Sequence, residues 1–256
     1  MEHEYVADTF THQGLTVKII QDTDAESPRD WDNVGTMVCW HSRYGLGDEQ
    51  RRDNPDEWLQ ELASEHRPNL GEYLDNTLYT RMVTAAYNAP ERKVQDRAYR
   101  DKCQSIINTE LDKHYIILPL YLFDHSGISI STGSFNDPWD SGQVGWIYCS
   151  KERAVEEWGK KVCTRKVRDA AIACLKSEVE VYDQFLTGDV YGYVIETTPE
   201  EDEDGDAIGD GEHVDSCWGF FGLDYAKSEA LDAAKSHIAH EARKVAESAG
   251  DVPMHV

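Results

Sequence analysis

Basic residues are scarce in this chain: 25 lysines and arginines stand against 49 aspartates and glutamates, a net charge of −24 at pH 7. Proteins that hold nucleic acid without sequence preference displace phosphate counterions with Lys and Arg, so direct nucleic-acid binding is not expected. Docking on an anionic membrane is disfavoured for the same reason. Long hydrophobic runs are lacking too. The longest, residues 115–123, is broken by Pro119 and falls well short of the roughly 18 residues a membrane span needs. The six cysteines (Cys39, Cys103, Cys149, Cys163, Cys174, Cys217) show no CxxC spacing. The opening MEHEYVADTF is acidic where a secretory leader would be basic and then apolar, so reduced thiols in a cytoplasmic protein are expected. There is no GxxxxGK[ST] phosphate loop, no GxSxG nucleophile elbow and no internal repeat.

What is present is a folding sequence. Over 256 residues, 40% are apolar and 10% aromatic, enough to bury a substantial core. Residues 15–20 (LTVKII) and 34–41 (VGTMVCWH) read as strands, expected to form a hairpin across an acidic connection. Pro55 opens a helix, with Asn54 as its cap. Residues 70–88 and 91–114 read as two more helices. Residues 116–123, 128–132 and 143–149 read as strands around a Gly/Asn/Pro/Asp loop. Ser150 and Thr164 cap two helices, the second ending before Gly188. Residues 190–196 and 213–221 are strand-like, and a last helix runs to about residue 248. Strands and helices do not alternate strictly. The expected fold is therefore α+β, a mixed or antiparallel sheet of about six strands with helices packed on it. A single domain over residues 1–256 is expected, with an acidic hairpin loop at about 197–212.

Charge is unevenly spread. Residues 1–75 carry net −11, residues 76–178 net +2 and residues 179–256 net −15. Two acidic ends that converge in the fold would attract a basic partner and speed its association. The residues expected to meet that partner are Asp22, Asp24, Asp30 and Asp32 in the first acidic loop. In the second they are Glu200, Glu201, Asp202, Glu203, Asp204, Asp206, Asp210 and Glu212. Neither loop has the spacing of a calcium-binding loop, and no metal or cofactor is expected.

Catalytic signals are weak. Asp124 and His125 at a strand end, with Asp137 and Asp140 on the next loop, are the residue types that a metal-dependent hydrolase or nuclease gathers around an ion. Neighbouring strand residues point to opposite faces, so the pair shares one ion only if the chain turns there. Trp40, Trp139, Trp146 and Trp218 recur beside Asp, Cys or Gly, and would stack a base if they lined one cleft.

The segments DHSG, PWDSGQVG, YDQ-LTGDVYGY and DSCWGF, spread over residues 115–222, resemble a family of proteins encoded by bacteriophages and other mobile elements. The resemblance implies a setting, an accessory phage protein in the bacterial host cytoplasm, and brings no catalytic assignment with it.

Charge, setting and missing motifs together lean away from an enzyme. They point to an acidic counter-defence protein that binds and inhibits a host defence or DNA-binding protein with a basic surface, by imitating DNA. A module that sequesters a nucleotide signal is the first alternative, and a metal-dependent hydrolase or nuclease the second. Association of identical copies is left open.

Overall fold

The computed structural model describes residues 5–86, 92–201, 207–208 and 211–250. In chain order it contains β1 (Val6–His12), β2 (Leu15–Gln21), β3 (Thr36–Cys39), β4 (Glu49–Gln50), α1 (Pro55–Ser64), α2 (Leu70–Glu72), α3 (Tyr79–Ala86) and α4 (Arg92–His114). Then follow β5 (Tyr115–Asp124), β6 (Ile128–Ser131), β7 (Ser141–Ser150), α5 (Lys151–Glu157), α6 (Arg165–Thr187), β8 (Val190–Thr197), β9 (Glu200–Glu201), β10 (Ala207–Ile208), β11 (His213–Phe221) and α7 (Leu223–Gly250). The fold is α+β. Its strands divide between a four-stranded and a five-stranded sheet, with β9 and β10 pairing as a short ribbon.

The chain divides into two compact units. One, here the terminal unit, joins Met1–Asp30 to Val181–Val256; the other, the central unit, is Trp31–Glu180.

The terminal unit is an antiparallel sheet in the order β1-β2-β8-β11. Leu15, Val17 and Ile19 alternate along β2 onto one face and meet Tyr193 and Ile195 of β8. Ala226, Ala230 and Ala234 of α7, four residues apart, complete that core and are fully buried. Side chains this small let the helix lie close on the sheet. On β8, Gly192 sits under the Trp218 indole, where any β-carbon would collide with the ring. β2 therefore pairs with β8, with Leu15 opposite Thr197, and not with β3. The expected hairpin of residues 15–20 with 34–41 does not form, because β3 belongs to the other sheet.

The central unit is a sheet in the order β4-β3-β7-β5-β6, antiparallel except for the parallel pair β3–β4. Asn54 caps α1 by accepting from the Asp56 amide at 3.0 Å, and Pro55 occupies the first helical position. The buried stripe Trp58, Leu59, Leu62 and Ala63 of α1 packs with Leu70, Leu74, Leu78, Ile107, Leu111 and Tyr115. The segment between α2 and α3, Tyr73–Leu78, is wound as a π-helix. On α6, Leu175 approaches Gly35 and Ile147 so closely that Gly35 has no room for a β-carbon. Glu178, one turn further on, accepts from the Val34 and Gly35 amides at 2.8 and 3.2 Å and so fixes the entry to β3. β6 pairs with Tyr121–Asp124, so among the described residues the first half of β5 has no strand on that side. Pro119 lies in this half, where a strand tolerates a residue with no N–H to give.

Candidate functional site

Residues 1–30 and 181–256 lie in one unit, while residues 31–75, which hold the larger part of the first acidic end, fall in the other. The terminal unit holds 25 acidic and 6 basic residues, net −19; the central unit holds 24 and 19, net −5. Among the described residues, cations are engaged inside the unit: Lys18 with Glu196 at 2.6 Å, Lys227 with Asp8 at 2.7 Å, Lys235 with Asp232 at 2.9 Å and Lys244 with Glu241 at 2.7 Å. The hydrogen bonds from Lys227 and Lys244 hold Asp8 and Glu241 below the ordinary carboxylate range.

Of the expected partner-binding acids, Asp22, Asp24, Asp30 and Glu212 belong to this unit. Asp22 accepts from the Asp24 amide at 3.2 Å, Asp30 closes a 3-10 turn, and the Glu212 amide donates to the Thr197 hydroxyl at 2.8 Å. Glu200 and Glu201 form β9. Asp32 falls in the central unit, where it pairs with Arg153 at 3.3 Å while its side chain stays 96% exposed. Asp202, Glu203, Asp204, Asp206 and Asp210 lie outside the described residues.

The four weak catalytic candidates do meet at one end of the five-stranded sheet, but each is committed elsewhere. Asp124, the last residue of β5, pairs with Arg43 and accepts from the Tyr44 hydroxyl at 3.3 Å. The chain then turns through Ser126, whose φ is +59°, so His125 leaves Asp124 and binds Asp140 at 2.8 Å. Asp137 accepts from the Trp139 and Asp140 amides at 2.8 and 3.1 Å, and those two bonds lower its pKa. Among the described residues, no three His, Cys, Asp or Glu side chains group so as to hold a metal ion. The ligand set for a metal-dependent hydrolase built on Asp124, His125, Asp137 and Asp140 is therefore not assembled.

Sequence reading weighed His41 but missed Arg43 and Tyr44, which complete this cluster. His41 stacks on Tyr44 with ring centroids 4.9 Å apart and accepts from the Arg43 and Tyr44 amides, and the Arg43 guanidinium lies 5.5 Å from the Tyr44 ring. The signal was the run HSRYG directly after β3, whose chain neighbours gave no hint of β5.

Of the four tryptophans expected to line one cleft, Trp40 and Trp146 are brought together. Trp40 and Trp146 meet edge to face at 5.5 Å, and the third member of their cluster is Trp58 of α1, 5.4 and 5.6 Å from them. Tyr148 and Tyr115 extend the cluster toward a stacked His66–His114 pair. Trp139 stands 91% exposed on its loop. Trp218 belongs to the terminal unit, over Gly192. Trp58 was legible as the apolar face of a capped helix; that this face would meet Trp40 and Trp146 was not.

Three of the six thiols are shifted away from the thiolate form. Burial pushes the Cys149 thiol up to about 11 and raises Cys103 and Cys174, with Glu178 adding to the effect at Cys149 and Cys174. No helix among the described residues is long and apolar enough to cross a membrane. No family model matches the chain, and no curated protein or solved structure matches it either.

Proposed function

We propose that this chain is a non-enzymatic binding protein whose terminal unit presents carboxylates to a basic surface on a host nucleic-acid-processing or defence protein, in place of DNA. One observation carries the reading: segments separated by 150 residues of chain combine into one compact unit of net −19. Duplex DNA offers its partners a negative charge about every 1.7 Å of axis, and a dense carboxylate surface competes for the same Lys and Arg. The resemblance to proteins of phages and mobile elements supplies the setting, a bacterial cytoplasm in which inhibiting a host protein is useful.

The test is capture of host proteins on the immobilised chain, eluted by a salt gradient and separately by duplex DNA. A partner released by both, and lost by a variant with Asp22, Asp24, Glu200, Glu201 and Glu212 changed to their amides, is the expected result. A partner retained equally by that variant, or indifferent to salt, rules the reading out.

A further inference from the structure

The central unit carries a cleft of about 560 Å³ between the sheet and the helices α1 and α4. That is inside the roughly 300–1,000 Å³ typical of small-molecule sites. Its floor is apolar: Tyr115, Ile117 and Pro119 from the open half of β5, Trp146 from β7, and Leu59 and Leu111 from the helices. The aromatic walls are fixed from behind. Trp146 is held by Trp40 and Trp58, and the Tyr115 hydroxyl donates to Glu65 at 2.8 Å and lies 3.1 Å from His66. Walls already ordered lose little freedom when a flat ligand lies against them.

The rim is made of amides. Gln104 donates to Asn108 at 2.9 Å along α4, a bond that leaves the Asn108 NH2 as a donor and the Gln104 carbonyl as an acceptor on residues one helical turn apart. Gln143 of β7 donates to the Gly145 carbonyl at 3.3 Å, which leaves its own carbonyl for a ligand. An adjacent donor and acceptor complement the edge of a nucleobase, as Asn and Gln do when they bind adenine bidentately. Charge narrows the class further. The rim bears two carboxylates, Asp56 and Asp112, and one guanidinium, Arg168, already paired with Asp112 at 2.7 Å. A phosphate would meet a net negative rim with its one cation already engaged.

We propose that this cleft binds an uncharged planar heterocycle of the nucleobase or nucleoside class, edge-on to Gln104 and Asn108 and flat against Trp146, and that it discriminates against the corresponding nucleotide. The site is independent of the acidic terminal unit and stands or falls separately from it.

Titration of the full chain with adenosine, guanosine, cytidine and uridine, and with their 5′-monophosphates, is followed by tryptophan fluorescence and calorimetry. At least one nucleoside is expected to bind, with its monophosphate weaker. Asn108→Ala and Gln104→Ala, in the half-exposed rim, are each expected to weaken binding roughly three- to tenfold. Trp146→Phe is expected to abolish most of the fluorescence response. Circular dichroism of each variant separates loss of the site from loss of the fold. The proposal is overturned if no nucleoside binds, if a monophosphate binds more tightly than its nucleoside, or if both rim variants bind as the parent does.

Discussion

The two units solve the same packing problem with opposite materials. The central unit holds six of the seven tryptophans (Trp31, Trp40, Trp58, Trp139, Trp146 and Trp158) and net −5; the terminal unit holds only Trp218 and net −19. In the central unit, bulky rings from α1, β3 and β7 fill the space between helix and sheet, and a cleft remains where they end. In the terminal unit, three alanines bring α7 down onto β-branched residues, so little volume lies between the layers. Concave, aromatic, nearly neutral surface and dense negative surface are thereby kept on different pieces of the fold. The proposed neutral ligand would belong to the first and the proposed basic partner to the second.

That contrast can be broken at its strongest point by removing a ring. Trp58→Ala empties the centre of the aromatic cluster and is expected to cost about 3–5 kcal/mol, read as a lower urea midpoint with loss of near-ultraviolet dichroism. A cost under 1 kcal/mol would mean that the rings are surface decoration and not core. The matching change in the terminal unit adds volume. Ala230→Leu is expected to cost about 1–3 kcal/mol by overpacking, because a fully buried alanine has no space beside it. A neutral outcome there would show a looser interface than the buried Ala226, Ala230 and Ala234 indicate.

These two cores were not equally legible in the sequence. The cap at Asn54, the stop at Gly188, with φ of +74°, and the strands around residues 116–149 were readable because each depends on a few neighbouring residues. The meeting of the two acidic ends was only a conditional inference from charge; the terminal unit joins residues 1–30 to 181–256 and leaves residues 31–75 in the central unit. Pairing was not readable. β2 and β3 are adjacent in the chain, yet β2 pairs with a strand some 170 residues later, and alternation gives a strand its faces without naming its neighbour. β1 escaped because VADTFTH mixes polar and apolar residues on an edge, where burial is half complete. The four tryptophans expected in one cleft shared only a local context, and local context does not say which unit a residue joins. The cleft itself was invisible, since Gln104, Asn108, Pro119, Gln143 and Trp146 come together only when α4 packs on the sheet.

The charge side of the comparison is sharpened by salt. Like charges in the terminal unit repel, so raising ionic strength should stabilise it more than the central unit. Changing Asp22, Asp24 and Glu212 to their amides is expected to raise stability at low salt by a few tenths of a kcal/mol each, on the order of an exposed ion pair. Changing Glu72, Glu156 and Glu180 in the central unit should do less. Both effects should fade toward about 1 M salt, where the screening length is about 3 Å. Equal effects in the two units would show that segregation in sequence has no electrostatic consequence.

The smallest effect separates the units by the strength of single ion pairs. Asp53 in the central unit is gripped by Arg51, whose Nε lies 3.0 and 3.1 Å from its two oxygens, and it also accepts from the Trp40 indole at 3.1 Å. The Arg51 bond is the largest cause of its pKa falling from 3.8 to about 2, and the indole adds to it. Asp8 in the terminal unit is lowered chiefly by the hydrogen bond from Lys227, a point charge in place of a fork. A depressed carboxyl stabilises the fold above its unfolded value of 3.8 and loses that contribution as pH falls through its folded value, here between 3.8 and about 2 for Asp53. Arg51→Gln should return Asp53 most of the way toward 3.8, leaving the indole and a backbone amide to hold it, and Lys227→Gln should move Asp8 the same way, with the Thr9 amide still lowering it. Carboxyl carbon shifts followed from pH 6 to pH 1.5 read both directly. If Asp53 titrates near 3.8 in the parent chain, the Arg51 fork does not persist in solution, and Trp40 loses the anchored acceptor that holds its indole at the edge of the aromatic cluster.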